Sequence, residues 1–223
     1  NFTPHAPYST SNGLLRALTS HEHLNRRVFS LHYLEASKNK ELLIRMAGKL
    51  RGLIREKRFE LTGWRPFSMN ELASCLSDDA HNHRLMLVHN IHASGRHISR
   101  AGELFPNLTW VLCPNSNSYI HDRIASPDLF RRMGQRVALG TDSPASNPDL
   151  SILAEMKTLH QRYPHIPFHE MLQWATLNGA FALGLEKEAG ALAPSLAPGI
   201  NLLQPFDFTR MHLRPDSRVV PIS

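Results

Sequence analysis

Three ionisable residues each follow an apolar segment short enough to be a buried β-strand: His32, His89 and Asp142. Neutral imidazole and carboxylate groups are good ligands for zinc and similar cations. Glu35 stands three residues after His32, and this spacing can place a proton carrier beside a ligand around one reacting centre. A histidine at a strand end is more often structural than functional, but the nearby Glu35 favours a metal site with acid–base chemistry.

Other polar groups near the predicted strand ends offer hydrogen bonds. His89 could donate to a developing oxyanion or orient a metal-bound water, or it could be a satisfied buried histidine. The segment Cys113–Asn117 follows a strongly apolar run and reads as a polar turn. Its side chains could bind a ligand, although a plain strand-to-helix turn explains it equally well. Gly140 allows close backbone approach, so that Asp142 can point into a cavity.

The segments between these residues predict the elements that position them. Strands are predicted at 28–31, 85–88, 108–112 and 137–140, and a further strand is predicted to end near His5. Helices are predicted at 11–20, 39–57, 70–76, 127–133, 149–160, 169–178 and 180–185, and a short strand at 198–203. Strands that alternate with helices form parallel sheets, and functional residues collect at the carboxyl ends of those strands.

The predicted strand ends are spaced like the units of a (β/α)₈ barrel, which uses about 31 residues per unit. The intervals from residue 5 to 32, from 89 to 113 and from 113 to 142 each fit one unit. The interval from 32 to 89 fits one unit plus an insertion of about 30 residues. We place this insertion at 55–79 and expect it to form part of a substrate lid.

The charge, the cysteine count and the lengths of the apolar runs bear on whether the protein is a nucleic-acid-binding, disulfide-rich or membrane protein. The chain has 25 basic and 19 acidic residues and a net charge of +6. The basic residues are scattered and not interleaved with aromatic ones, so we expect an ordinary surface and no nucleic-acid partner. Two cysteines make no disulfide framework, and no apolar run approaches the about 20 residues of a membrane span. We therefore expect a cytoplasmic protein without a membrane partner.

Five short motifs occur in an order that resembles a known superfamily. They are His5-Ala6-Pro7-Tyr8, His32-Tyr33-Leu34-Glu35, Val88-His89-Asn90, Cys113-Pro114-Asn115-Ser116-Asn117 and Gly140-Thr141-Asp142-Ser143. From residue 4 to about 204 the chain resembles the metal-dependent amidohydrolases, in particular the branch of cytosine, guanine and adenosylhomocysteine deaminases and chlorohydrolases. The resemblance implies an α/β fold, the C-terminal part of a (β/α)₈ TIM-type barrel (strands four to eight) in residues 1–188. Residues 189–223 would hold a short remnant of a β appendage and the tail.

The resemblance also implies a role for each candidate site residue. These roles are metal binding by His32 and Asp142, catalysis by Glu35, His89 and Asp142, and substrate contact by His5 and Asn117. Glu35 would shuttle protons, and Asp142 would accept a proton from the attacking water. The implied cofactor is one divalent metal, zinc, with iron or manganese as alternatives.

A His-x-His metal pair, which the superfamily carries on its first strand, has no match at such a place in this sequence. His21-Glu22-His23 and His81-Asn82-His83 have the spacing, but neither follows an apolar strand, and we expect surface positions for both. The chain starts at Asn1, and we expect the pair upstream, in a longer protein. We expect the isolated chain to bind zinc weakly, to lack turnover and to self-associate, because a partial barrel leaves open sheet edges.

For the intact protein, these expectations combine into one hypothesis. It is a metal-dependent hydrolase that deaminates a small amino-substituted heterocycle, such as a purine, a pyrimidine or a related nucleoside, and we expect a homo-oligomer. A chlorohydrolase or a cyclic amidase on the same fold is the nearest alternative. A non-catalytic or nucleic-acid-binding module is the alternative from another class.

Overall fold

Four parallel strands form the central sheet in a computed structural model that describes residues 3–20, 28–35, 67–76, 83–194 and 196–222. The strands are β1 (Val28–Tyr33), β2 (Arg84–His89), β3 (Leu108–Leu112) and β4 (Val137–Leu139). They pair side by side in sequence order, and every pair is parallel. The four strands predicted from the sequence are confirmed, with small differences at their ends. This parallel α/β arrangement is consistent with part of a TIM barrel.

Helices flank the sheet. They are α1 (Asn12–Ser20), α2 (Met69–Cys75), α3 (Gly95–Leu104), α4 (Pro114–His121), α5 (Pro127–Arg132), α6 (Ile152–Arg162), α7 (Phe168–Ala175) and α8 (Leu177–Leu183). Within the described ranges, no helix has the length and apolar character needed to cross a membrane.

The two faces of the sheet bury different sets of side chains, because successive residues of a strand point to opposite faces. Leu31, Leu87 and Trp110 are 0% exposed and belong to the main core with the helices. A second, smaller cluster contains Val88 and Val111 on the opposite face. His32 pairs in register with Val88, so it belongs to the face of the smaller cluster.

The segment ending at His5 lies along the outer edge of β1. The backbone N–H of His32 donates to the carbonyl of His5 at 2.8 Å. The Thr3 hydroxyl donates to the carbonyl of Ser30 and accepts from its N–H. These contacts are those expected from the last residues of a neighbouring strand, and they bring His5 to the same rim as His32.

One prediction of local structure is wrong, and one predicted boundary between helices is misplaced. The segment 113–117 was expected to be a polar turn, but α4 begins at Pro114, whose fixed φ suits the first position of a helix. The two helices predicted over 169–178 and 180–185 are present as α7 and α8, but the break between them lies at Thr176, whose φ of −126° and ψ of −84° interrupt the hydrogen-bonding pattern. The helix α3 was not predicted.

An antiparallel pair of strands follows the parallel sheet. These strands are β5 (Asn201–Asp207) and β6 (His212–Pro221). The pair packs on the helices, since the ammonium of Lys157 donates to the carbonyl of Pro215 at 2.7 Å and the rings of Phe168 and Phe206 lie 4.6 Å apart. The short strand predicted at 198–203 is therefore part of a longer hairpin.

Some predictions fall outside the described residues: the helix at 39–57, most of the insertion at 55–79, His21 and His23, and His81. Of the insertion, α2 is described and was predicted. His83 was expected on the surface, and this is wrong, because it is 8% exposed and its ring contacts the ring of Phe29 edge-on. Both cysteines are free, as expected.

Candidate functional site

Three of the predicted site residues converge at the carboxyl ends of β1 and β2. One potential ligand atom from each of His32, Glu35 and His89 lies within 4.8 Å of the other two. The Glu35 carboxylate is 3.8 Å from His32 Nδ1 and 3.9 Å from His89 Nε2. These separations are too long for hydrogen bonds. They leave room for an atom held in common by the three groups.

His89 reaches this cluster because β2 loses its regular alternation there. His89 follows Val88, so an extended strand would direct its side chain to the opposite face from His32. Instead His89 and Asn90 have φ of 76° and 59°, in the left-handed region that histidine and asparagine tolerate better than most residues. The imidazole rings of His32 and His89 consequently lie 4.5 Å apart, edge to face.

The hydrogen bonds of His89 fix which ring nitrogen carries its proton. Nδ1 lies 2.7 Å from Oδ1 of Asn117, whose Nδ2 faces the carbonyl of His89 at 3.4 Å. The amide oxygen therefore accepts from Nδ1–H, so that the neutral form of the ring has its lone pair on Nε2, facing Glu35. Sequence comparison implied that Asn117 lines the pocket. The structure buries it to 1% exposure against His89, so direct substrate contact stays a prediction.

The fit of a metal ion rests on the orphaned Nε2 of His89. This atom is buried and has no hydrogen-bond partner among the described residues. A buried acceptor without a partner is costly, and here it faces a carboxylate rather than a donor. A divalent cation, or a water bound to one, would satisfy both groups. Imidazole nitrogen and carboxylate oxygen are the donor types that zinc accepts.

His32 is electrically suited to act as a ligand. Burial lowers its pKa, and the neighbouring rings of His89 and His5 lower it further, while Glu35 and Asp142 oppose the shift. His32 is therefore neutral at pH 7 with a free lone pair. The ring of His5 lies 4.5 Å from that of His32, and His5 is itself exposed.

Glu35 has two further neighbours that the sequence did not single out. The hydroxyl of Tyr8 donates to Oε2 of Glu35 at 3.1 Å, and burial followed by the charge of Glu35 raises the Tyr8 pKa, so the phenol stays protonated. His121 Nε2 lies 3.8 Å from Oε1. His121 follows Asn117 by one helical turn of α4, and this i,i+4 spacing is the signal that could have found it.

Asp142 lies at the same rim, held by two hydroxyl groups. Ser116 and Ser146 both donate to its Oδ2, at 2.7 and 2.6 Å. Burial would raise the Asp142 pKa, but these hydrogen bonds and the nearby His89 and His32 rings together hold it below the usual range. Asp142 is not part of the three-residue cluster.

Local backbone geometry also directs Asp142. Its φ is 59°, and a Cβ added at Gly140 would lie 2.9 Å from Val111 Cγ1. The expected close approach at Gly140 is thereby confirmed, because β4 comes too near β3 there for a side chain.

The sequence matches the Amidohydrolase family over residues 1–211. It is 30% identical over 222 residues to the 5-methylthioadenosine/S-adenosylhomocysteine deaminase of Pyrococcus abyssi, covering 95% of this chain and 45% of that protein. The chain therefore spans about half or less of the length of the curated relatives it matches.

Solved structures show the same fold. The adenosine deaminase of Xanthomonas campestris with bound zinc matches 91% of this chain and 42% of its own, with a TM-score of 0.62 and 24% identity. The aminofutalosine deaminase of Helicobacter pylori matches 93% of this chain and 52% of its own, with a TM-score of 0.70 and 21% identity. With a family match that covers nearly all of its sequence and a parallel sheet that carries the site at its strand ends, the chain belongs to the amidohydrolase family.

Proposed function

We propose that the protein is a hydrolytic deaminase of an amino-substituted heterocycle of the nucleoside type. The observation that carries the proposal is the pair of lone-pair-bearing groups, His89 Nε2 and the Glu35 carboxylate, that face each other beside a neutral His32. Membership of the amidohydrolase family and relatives named as deaminases support the same reaction. A small-molecule substrate follows from it.

The proposed ligands of the metal are His32 and Asp142, with further ligands from a part of the protein outside this chain. Zinc is the proposed metal, with iron or manganese as alternatives. When bound, such an ion lowers the pKa of water toward about 7 and so makes a nucleophile available at neutral pH. A neutral His32 and an ionised Asp142 are the protonation states that metal binding requires.

The remaining residues handle protons and orientation. Asp142 accepts the proton of the attacking water, whose oxygen adds to the ring carbon that bears the amine. Glu35 delivers a proton to the adjacent ring nitrogen. Asp142 then passes the proton that it took from water to the amine, which leaves as ammonia, and Glu35 regains a proton from the hydroxyl of the addition intermediate as the carbonyl forms. His89 orients the attacking oxygen, while Tyr8 holds the Glu35 carboxylate through its hydrogen bond. His5 and Asn117 are proposed to contact the substrate.

Position within the barrel is part of the proposal. We assign β1–β4 to strands five to eight and the segment ending at His5 to the end of strand four. Residues 1–188 would form the barrel part and 189–223 the appendage. We further propose a cytoplasmic protein that forms a homo-oligomer.

The test uses the full-length protein and follows ammonia release from a panel of purines, pyrimidines, nucleosides and triazines. Glu35→Gln should lower turnover about 100-fold or more, the contribution of a general acid–base group, and leave the metal bound. Asp142→Asn should lose the metal. Glu103→Gln, an exposed glutamate on α3 with 62% side-chain exposure, serves as the control and should behave like wild type.

Different outcomes separate the alternatives. Release of chloride without ammonia would replace the deaminase with a chlorohydrolase, and ring opening without ammonia would indicate a cyclic amidase. If Glu35→Gln loses the metal while Asp142→Asn keeps it, the three clustered residues are the ligands and the proposed division of roles is wrong.

A further inference from the structure

Glu155, on α6, is a buried acidic residue outside the proposed catalytic group. It is 0% exposed. Its Oε2 accepts the backbone N–H of Asn115 at 2.9 Å, and its Oε1 accepts from Nδ2 of Asn147 at 2.6 Å. Burying a carboxyl group is costly unless donors satisfy it, and here each oxygen has one. Burial nevertheless raises the Glu155 pKa, with the two hydrogen bonds opposing the shift.

The first of these donors belongs to the helix that orients His89. Asn115 lies in the first turn of α4, where backbone N–H groups lack partners within the helix and a carboxylate is favoured by the helix dipole. Asn117, two residues further on, accepts from the His89 ring. Thr158, one turn after Glu155 on α6, adds a hydrogen bond from its hydroxyl to Oδ1 of Asn115.

The second donor belongs to the loop that carries Asp142. Nδ2 of Asn147 donates both to Glu155 and to the carbonyl of Thr141, the residue before Asp142, at 2.8 Å. The N-terminal turn of α4 and this loop meet directly through Ser116, which donates to Asp142. The buried Glu155 carboxylate therefore links the N-terminal turn of α4 to the loop that carries Asp142. The distance between these two segments determines the position of Asp142 relative to His89.

We propose that Glu155 is a positioning residue for the reaction. It acts on His89 through Asn115 and Asn117, and on Asp142 through Asn147 and Thr141, and it touches no reacting group itself. The inference rests on the proposed function, since it concerns the same site. Residues that hold catalytic groups in place through hydrogen bonds, without contacting the substrate, commonly contribute about 10- to 100-fold to activity or metal affinity.

The test is Glu155→Gln in the full-length protein. The side chain keeps its shape, but its amide nitrogen replaces an oxygen that accepts a hydrogen bond, so one of the two links becomes a contact between donors. We expect kcat to fall about 10- to 100-fold with KM changed less than about threefold. The matched control is Glu170→Gln on α7, where one of the two hydrogen bonds from Arg131, each 2.8 Å long, becomes a contact between donors. It should lower the melting temperature and leave kcat unchanged.

Two further measurements keep the inference testable apart from deamination. In Glu155→Gln, hydrogen–deuterium exchange should accelerate in peptides from residues 114–121 and 141–147, and Glu170→Gln should leave these peptides unchanged. Coupling is also expected: in a Ser116→Ala background, where the link to Asp142 is already lost, Glu155→Gln should lower kcat by a smaller factor, because effects that share a route are not additive.

The outcomes distinguish this inference from the proposed function. A wild-type protein that releases no ammonia refutes the function, and the exchange data then decide on Glu155. Unchanged exchange together with kcat equal to wild type, or additive effects with Ser116→Ala, overturns the positioning role. If Glu155→Gln does not fold, Thr158→Val removes only the hydroxyl bonded to Asn115. It should then reproduce a smaller loss of kcat at constant KM, and unchanged kcat would overturn the inference.

Discussion

The hydrogen bond between His89 and Asn117 determines what the site presents to a ligand. With Nδ1 donating to the buried amide, Nε2 of the neutral ring has only a lone pair to offer. Were the amide acceptor absent, the ring could place its proton on Nε2 and donate to Glu35 instead. The Asn117 side chain on α4 thus determines which of two sites forms. One accepts a cation or a metal-bound water, and in the other His89 donates a hydrogen bond to Glu35.

Asn117→Leu removes this acceptor while keeping a side chain of similar size. The buried Nδ1–H of His89 would lack a partner, which costs about 1–3 kcal/mol of stability, and turnover should fall because the tautomer is no longer fixed. Asn178→Leu is the control, since Asn178 is also buried and donates to the carbonyl of Val137 at 2.7 Å. Chemical denaturation and ammonia release would be measured for both. Full activity in Asn117→Leu would contradict the assigned role.

The lowered pKa of His32 predicts a pH dependence of stability in the metal-free protein. Below its ordinary pKa of 6.5, the unfolded chain binds this proton more readily than the folded one does, so stability falls as pH falls from about 7 toward 5. In His32→Asn this part of the fall should disappear. Urea unfolding at several pH values, with a chelator present, measures it, and the exposed His169→Asn is the control. An identical slope in His32→Asn and wild type would refute the shift.

Among single residues, the site residues at strand ends were predicted from the sequence. The more distant residues that hold those side chains in place were not. His32, Glu35 and His89 follow from an apolar run and a three-residue spacing. Glu155 and Ser146 carry no such signal, because Glu155 occupies an ordinary helix position and meets Asn115 only through a contact across 40 residues. Such contacts depend on how the helices pack.

An unusual backbone conformation recurs at the ends of three of the four parallel strands. Positive φ occurs at Leu34 after β1, at His89 and Asn90 where β2 ends, and at Asp142 after β4. Such conformations cost of order 1–3 kcal/mol each and persist where the surroundings enforce them. Their recurrence at the rim indicates that the elements end in turns that direct side chains to one point, at the expense of stability.

The turn of the chain between α8 and the antiparallel strands depends on Gly190. Its φ is 95°, and an added Cβ would lie 2.6 Å from the Cβ of Ala180 and 3.1 Å from the Cα of Leu177. Gly190→Ala should therefore lower the melting temperature markedly, because both the conformation and the contact oppose a side chain. Gly179→Ala on α8, where nothing lies within 4 Å, should be neutral or stabilise by up to about 1 kcal/mol. Equal melting temperatures in the two variants would contradict this reading of the turn.

Elements with strong apolar patterns were predicted, and elements that depend on tertiary contacts were not. The strands β2 and β3 are nearly continuous apolar runs, as is typical of strands buried on both faces of a parallel sheet. By contrast α3 contains Gly95 and Gly102, which lower helix propensity, and forms because Ile98 and Ala101 are fully buried. Likewise the first five residues of α4, Pro114–Ser118, offer no apolar stripe, and the Glu155 carboxylate accepts a hydrogen bond from its N-terminal turn.

At the scale of the whole molecule, the parallel strands that the structure describes form an open sheet. Within the described residues the parallel sheet has four strands, and β1 and β4 are its edges. The segment ending at His5 covers part of the β1 edge. A closed barrel of this type has eight strands, and the solved relatives are about twice as long as the part this chain matches.

Open edges predict self-association of the isolated chain. Unpaired strand edges act as templates for further pairing, and several large apolar side chains are exposed, including Tyr119 at 75% and Phe208 at 78%. Sedimentation velocity on purified 1–223 should show dimers or larger species that increase with concentration, and full-length protein run in parallel should give one discrete species. A monodisperse monomer of 1–223 would contradict the prediction.

Zinc binding by the chain 1–223 tests whether the residues of this chain suffice for the metal centre. Zinc sites use three or four protein ligands, and our assignment leaves two in this chain, His32 and Asp142. We therefore expect a dissociation constant above about 1 μM for zinc binding to 1–223, which corresponds to a binding free energy weaker than about −8 kcal/mol. Calorimetric titration measures it, with His169→Ala as a control that changes nothing. Tight binding that Glu35→Gln abolishes would instead make the cluster of His32, Glu35 and His89 a metal site in its own right.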